Sequence, residues 1–157
     1  MQKIAIIGAG LTGITLALEL RALAKVTLFE KARGVGGRLA TRYKDPFQFD
    51  HGAQYFTVKS QQFHDFIQPL LKAGVIARWD ANFVELNANR VISSRKWGEH
   101  FPHYVGQPGM DSLCQYLARD LDVRLSTRVT RIQCEKGWQL FDEQQQDLGY
   151  YDWVIIT

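Results

Sequence analysis

Gly8, Gly10 and Gly13, the acid Glu30, and the run Gly34-Val35-Gly36-Gly37-Arg38 are the residues whose types and spacing suit a definite chemistry. All of them fit the diphosphate and ribose of a dinucleotide. The apolar run Ile4-Ala5-Ile6-Ile7 reads as a parallel strand buried on both faces, and Gly8-Ala9-Gly10-Leu11-Thr12-Gly13 turns it sharply into a helix. Gly8 allows the tight turn, Gly10 lets a pyrophosphate approach the backbone, and Gly13 lets helix and strand pack closely. The helix start then aims unpaired N–H groups and its positive dipole end at phosphate. Glu30 ends a second strand, Lys25-Val26-Thr27-Leu28-Phe29, where a carboxylate accepts hydrogen bonds from adenosine ribose hydroxyls and repels a 2′-phosphate.

A glycine turn alone is a weak signal, and the bland alternative is a strand, turn and helix with no ligand. Here the turn follows a strand, opens a helix carrying Leu16, Leu18, Leu20 and Leu23, and meets an acid at the right distance. Lys31, Arg33, Arg38 and Arg42 crowd behind the second strand, which suits a diphosphate, although each is also an ordinary solvated cation.

The elements that must position these residues follow from periodicity. Strands are expected over 3–7 and 25–30, a helix over 11–23, a glycine-rich loop to about 42 and an extended stretch over 47–58. Phe63, Phe66, Ile67, Leu70 and Leu71 mark a helix over 61–73 that Gly74 stops and that Pro69 kinks or shortens. Short alternating segments over 75–79, 82–86 and 90–92 read as an antiparallel layer. A helix over 110–121, strands over 123–126 and 128–134, and a hairpin turning at Lys136-Gly137 into 138–141 come next, with a second turn at Gln144-Gln145-Gln146. The expected fold class is α/β, a Rossmann-like dinucleotide-binding domain with an inserted antiparallel β-sheet layer, incomplete in this chain; the resemblance given below makes it a FAD/NAD(P)-binding domain and the inserted layer a substrate layer. Its expected parts are 1–74 for the nucleotide unit and the segment behind it, 75–105 for the start of the inserted antiparallel region, and 106–157 for the return, the first and second taking flavin-side and substrate-side roles only by the resemblance given below. The apolar strand over 151–157 ends without a crossover, so these 157 residues are expected to be the N-terminal part of a longer protein.

Composition narrows the class. With 46% apolar and 22% charged residues the chain is globular. A net charge of +3 without a basic stripe argues against a nucleic-acid partner. With no leader pattern and no run of about 18 apolar residues, no membrane partner is expected and a cytoplasmic location is. Cys114 and Cys134 lack metal or redox spacing and read as buried or half-buried free thiols. Oligomeric state stays open.

Gly34 to Arg42, Phe49-Asp50-His51-Gly52-Ala53-Gln54-Tyr55-Phe56-Thr57 and Tyr104-Val105-Gly106-Gln107-Pro108-Gly109-Met110 resemble the flavin-containing amine oxidase superfamily, and within it the renalase-like branch. The resemblance spans essentially the whole chain and implies bound FAD. It implies that Gly37, Arg38 and Leu39 lie at the pyrophosphate, with Arg38 along it, and that Gly52 and Ala53 let the flavin ring lie against main chain. Gln54, Tyr55 and Phe56 would supply polar contacts or an aromatic wall. Only one of two adjacent strand residues can face the ring, so Tyr55 and Phe56 are alternatively plain core aromatics. Val129 would contact the adenine side and Thr157 the pyrophosphate. With Gly8, Gly10, Leu11, Thr12, Gly13, Glu30, Lys31 and Arg33, these complete the expected cofactor contacts.

The implied activity is oxidation of isomeric reduced nicotinamide dinucleotides, with hydride passing to the flavin and molecular oxygen as acceptor. Such a donor carries its own electron push, so no catalytic residue and no metal ligand is assigned. His51 reads as a packed or hydrogen-bonded histidine, and His100 and His103, beside Trp97 and Tyr104, as pocket-lining or half-exposed sheet residues. Two alternatives stand: a flavin amine oxidase, and a non-catalytic FAD-binding module. An NAD-dependent dehydrogenase is disfavoured, because a plain nicotinamide fold has no need for Gly36-Gly37-Arg38.

Overall fold

In a computed structural model, residues 1–96 and 102–157 are described. The apolar run after Gln2 forms β1 (Lys3–Ile7) at the heart of a parallel sheet, with β2 (Lys25–Phe29) on one side and β14 (Trp153–Ile156) on the other. β10 (Asp122–Arg124) adds beyond β2, giving the order β10-β2-β1-β14.

Alternation along β1 sends its side chains to two cores. Ile4 and Ile6 join Ile14 and Ala17 of α1 (Leu11–Leu20) and Leu113, Cys114 and Ala118 of α3 (Asp111–Ala118). Ala5 faces the opposite way, toward Phe29, Leu140 and Tyr151. That second face is covered by an antiparallel meander of β11 (Arg131–Cys134), β12 (Trp138–Phe141) and β13 (Asp147–Tyr151). Phe29 and Tyr151 meet there edge to face at 5.9 Å. The fold is therefore α/β, with helices, parallel sheet and meander as its layers.

Several boundaries differ from those expected. α1 stops at Leu20 rather than 23, because the Leu23 and Ala24 N–H groups both turn back to the Leu20 carbonyl before Lys25 pairs with Gln2. Pro69 sits inside α2 (Gln61–Lys72) without ending it, and Ser60 caps the start by accepting the Phe63 N–H at 3.2 Å. The expected strand over 128–134 begins only at Arg131. The final apolar stretch divides at Asp152, with Tyr151 in β13 and the parallel strand starting at Trp153. β14 is an edge strand among the described residues, with Trp153 55% and Ile156 71% exposed. Of the two thiols, Cys114 is buried, which pushes it up to about 12 with help from Asp111, whereas Cys134 is exposed.

Residues expected as loop and single extended stretch instead form a hairpin, β3 (Thr41–Lys44) with β4 (Phe47–Asp50). Polar contacts across the chain tie it to the start of α3. Asp50 Oδ1 accepts from Thr41 Oγ1 at 2.6 Å and from the Met110 N–H at 3.0 Å, and Asp111 Oδ1 accepts from the Tyr43 hydroxyl at 2.7 Å. Burial of that hydroxyl and the facing Asp111 carboxylate push the Tyr43 phenol from 10.0 up to about 12. A raised folded pKa means that the proton is held more tightly in the folded state. The stability from this contact is thus complete below pH 10 and lost as pH rises through about 12. Thermal melts across that window are expected to show a step that Tyr43→Phe removes.

The expected antiparallel layer is split between two sheets. β9 (His103–Gly106) lies between β5 (Phe56–Thr57) and β6 (Ile76–Arg78), while β7 (Asn82–Asn87) and β8 (Arg90–Lys96) form a separate, exposed hairpin. Among the described residues, no helix is long and apolar enough to cross a membrane.

Candidate functional site

The C-terminal ends of β1, β2 and β14 open onto a cleft of about 680 Å³. Such strand ends are where an open parallel sheet binds ligands. Its floor is the glycine turn. Gly8 adopts φ +112°, which favours glycine, and its N–H donates to the Phe29 carbonyl at 2.8 Å. Gly13 lies behind the turn, where a Cβ would collide with the Gly8 carbonyl oxygen and reach Thr157 Oγ1 at 2.9 Å. Helix and strand can approach so closely only without that atom. No side chain caps α1 among the described residues, so the N–H groups of its first turn face the cleft at Leu11 and Thr12.

Glu30 is only 7% exposed, and both of its oxygens are held by main chain. Oε2 accepts the Ala9 N–H at 2.9 Å and Oε1 accepts the Ala32 N–H at 2.8 Å. The carboxylate thus fixes the glycine turn to the end of β2, and each oxygen keeps a further lone pair for a hydroxyl donor.

The opposite wall is the second glycine run. The Gly36 N–H donates to the Ala9 carbonyl at 3.0 Å, and Gly10 and Gly36 form an isolated parallel bridge. Gly37 at φ +55° sits so near the first turn that a Cβ would be 3.3 Å from the Gly10 Cα. The chain then makes a short 3-10 turn over Gly37–Leu39, leaving Arg38 exposed at the rim. The Ala53 N–H donates to the Arg38 carbonyl at 2.8 Å, so the segment after β4 is fastened to this turn. Gly52 allows that contact, since its Cβ would strike the same carbonyl oxygen.

The cleft brings together Gly8, Gly10, Leu11, Thr12, Glu30, Lys31, Gly37, Arg38, Leu39, Ala53, Val129 and Thr157. It also has a lining that sequence reasoning did not assign, Ile7, Phe29, Thr127, Arg128 and Ile156, beside Gly36 of the second glycine run. Ile7, Phe29 and Ile156 are strand-end residues, which strand order would have pointed to. The loop after β10 reaches the cleft because the Thr127 N–H donates to the Glu30 carbonyl at 2.8 Å, a contact with no local sequence signal. Arg128 is paired with Glu143 at 2.7 Å.

Other candidates lie elsewhere. Arg33 and Arg42 are exposed outside the lining, and so are Gly52 and Gln54. Phe56 turns inward, stacked on Tyr104 at 5.7 Å and meeting Phe63 at 5.8 Å. Tyr55 turns the other way, toward Trp79 and His103. His51 is exposed rather than packed. Trp97 and His100 lie outside the described residues.

Comparison with known proteins agrees with this fold. Residues 6–70 match the model of the NAD(P)-binding Rossmann-like domain. The chain has a Rossmann-like fold. A 4,4′-diapophytoene desaturase of Staphylococcus aureus (strain MRSA252) is 38% identical over 78 residues, which cover 43% of this chain and 16% of that protein. Among solved structures, the Rossmann-like chain superposes on a putative protoporphyrinogen oxidase from Exiguobacterium sp. 255-15 with a TM-score of 0.72 at 14% identity, covering 99% of this chain and 59% of that one. Tetracycline destructase Tet(51) gives 0.71 at 15% identity, with 100% and 38% covered. The 2,6-dihydroxypyridine-3-hydroxylase from Arthrobacter nicotinovorans gives 0.62 at 15% identity, with 98% and 36% covered. The chain thus spans a small part of its curated relative and just over half of the oxidase.

Proposed function

We propose that the cleft holds the ADP half of FAD and that the protein is an FAD-dependent oxidoreductase of the renalase-like kind, acting on isomeric reduced nicotinamide dinucleotides with oxygen as acceptor. One observation carries this reading: the α1 N-terminus, the pinned Glu30 carboxylate and the Gly36-Gly37-Arg38 turn converge on a single cleft. The residues present fit the group. A Cβ at Gly37 would crowd Gly10, leaving less room for a diphosphate, and the spare lone pairs of Glu30 suit the ribose hydroxyls. The desaturase, oxidase and hydroxylase names of the similar proteins support a redox role.

On this reading the first turn of α1 and Arg38 neutralise the diphosphate, Glu30 orients the ribose, and Thr157 and Val129 close the nucleotide side. Residues 1–74 and 106–157 frame the nucleotide, and 75–105 begin the substrate side. FAD, when bound, supplies the hydride acceptor. The chain's own task is to hold and orient it and to exclude water.

Arg38 is exposed at the rim, so Arg38→Met is expected to leave the melting temperature unchanged. It should weaken FAD binding about ten- to hundredfold, the equivalent of one or two charge-assisted hydrogen bonds. Fluorescence titration with FAD checks this. Anaerobic spectra of the full-length FAD-bound protein test the substrate: isomeric dihydronicotinamides should bleach the flavin faster than benzylamine, and the reverse order would favour an amine oxidase.

A further inference from the structure

The segments Phe49 to Thr57 and Tyr104 to Met110, both singled out by the sequence, meet at the start of α3. The residue that opens this helix, Met110, supplies no side-chain cap. The first N–H groups of α3 need acceptors from elsewhere, and two arrive from the β3–β4 hairpin. Asp50 Oδ1 accepts the Met110 N–H at 3.0 Å, and Thr41 Oγ1 accepts the Asp111 N–H at 3.2 Å. The Thr41 hydroxyl in turn donates to the same Asp50 oxygen at 2.6 Å, so one hydroxyl serves as both donor and acceptor. Gly109 leaves room for it, since a Cβ there would lie 2.7 Å from Thr41 Oγ1.

These contacts sit at the base of the hairpin. Thr41 and Asp50 pair across β3 and β4 and are half-buried, whereas residues 42–49 are exposed. The base is also the end that leads into the nucleotide cleft. Thr41 follows Arg38 by three residues, and Asp50 precedes Ala53 by three. The Ala53 N–H donates to the Arg38 carbonyl at 2.8 Å, and both residues line the cleft. The chain from Arg38 to Ala53 is therefore a loop closed twice, at the cleft by main chain and at α3 by Asp50. On its other side the same turn is joined to the first glycine turn, where the Gly36 N–H donates to the Ala9 carbonyl at 3.0 Å.

We propose that Asp50 is a positioning residue for the nucleotide cleft: by fastening the base of the β3–β4 hairpin to α3, it holds the Gly36-Gly37-Arg38 turn in place for a diphosphate. The proposal rests on the FAD reading above and adds to it a residue outside the cleft lining. Asp50 acts through Arg38 and makes no contact with the ligand. A turn that must be ordered when the ligand arrives costs affinity, and a turn already fixed does not. Both donors reach the same Asp50 oxygen, and asparagine offers one such acceptor.

The test uses the full-length protein and three variants, Asp50→Ala, Asp50→Asn and Thr41→Val. Hydrogen exchange without ligand reads position. Peptides covering 36–40 and 51–54 are expected to exchange at least about threefold faster in Asp50→Ala, while those of β1 and β2 exchange as in the parent. Titration with FAD reads function. Asp50→Ala is expected to raise the FAD Kd about tenfold. Thr41→Val, which keeps the shape and loses the hydroxyl, should raise it about threefold, and Asp50→Asn by less than about threefold. A double-mutant cycle separates positioning from a general loss of stability: Arg38→Met, which costs about ten- to hundredfold in the parent, should cost less than about fivefold in the Asp50→Ala background. Parental exchange in these peptides, or a parental FAD Kd, in both Asp50→Ala and Thr41→Val overturns the proposal. A full Arg38→Met effect in the Asp50→Ala background overturns it as well, as does an Asp50→Asn variant no better than Asp50→Ala. If Asp50→Ala does not fold, Thr41→Val and its own cycle with Arg38→Met decide in the same way. If the parent fails to bind FAD, the nucleotide reading falls while the exchange data still decide whether Asp50 holds the turn. If FAD binds normally and the variants behave like the parent, the positioning role alone falls.

Discussion

Gly13→Val is expected to destabilise the chain by about 3 kcal/mol and to weaken FAD binding about a hundredfold, ~2.8 kcal/mol. The added Cβ would occupy the place of the Gly8 carbonyl oxygen and come within 2.9 Å of Thr157 Oγ1. Two backbone segments and an edge strand meet at this point, so no flexible side chain can give way. α1 must slide from β1, and its first-turn N–H groups then no longer face the cleft. The same shift strains the end of β14, where the next residue, Thr157, donates its N–H to the Ile7 carbonyl at 2.9 Å. Thermal melts and FAD titration read both effects. Unchanged values in both would mean that helix and strand are not in this close contact.

Glu30→Ala should be nearly as severe for a different reason. It leaves the Ala9 and Ala32 N–H groups without their carboxylate acceptor, and the Ala9 contact is buried. Unsatisfied buried donors of this kind cost about 1–3 kcal/mol each, so a loss of about 2–4 kcal/mol is expected, together with weaker binding of the adenosine ribose. Glu30→Gln keeps one acceptor oxygen and should fall between the alanine variant and the parent. Denaturant melts without ligand isolate the structural share. Titration with ADP isolates the ligand share, since ADP carries the same ribose but no flavin. If both variants melt like the parent, the carboxylate does not hold the turn.

Both residues were visible in the sequence, because the first βαβ unit is written in short-range signals. An apolar run, three spaced glycines and an acid at a strand end all act within thirty residues. α2 was legible through its apolar spacing and Gly74, while its Ser60 cap was not read. The β3–β4 hairpin was not. Its strands are four residues each, too short for alternation to show, and it is held by Asp50 and Asp111 contacts that join residues 41–50 to 110–111. β13 went unassigned and its last residue, Tyr151, was read into the final strand, because the corner at Asp152 is set at long range, by the Lys3 N–H donating to its carboxylate at 2.7 Å. The same distinction explains the site. The glycines and Glu30 could be found locally, whereas Thr127 and Arg128 reach the cleft through β10 docking beside β2. Tyr55 and Phe56 were named together, and strand alternation separates them, one toward His103 and Trp79 and one to the core.

The claim beneath every functional statement is that this cleft grips the diphosphate of a flavin nucleotide. Equilibrium titration of the full-length protein with FAD, followed by the visible absorbance of the flavin and by Arg38→Met in parallel, tests it most directly. The expected result is a one-to-one complex with a perturbed flavin spectrum, weakened by the Arg38 variant and displaced by ADP. A parent protein that leaves the spectrum of added FAD unchanged at saturating concentration, or that binds FAD with an affinity indifferent to both Arg38 and ADP, would contradict it.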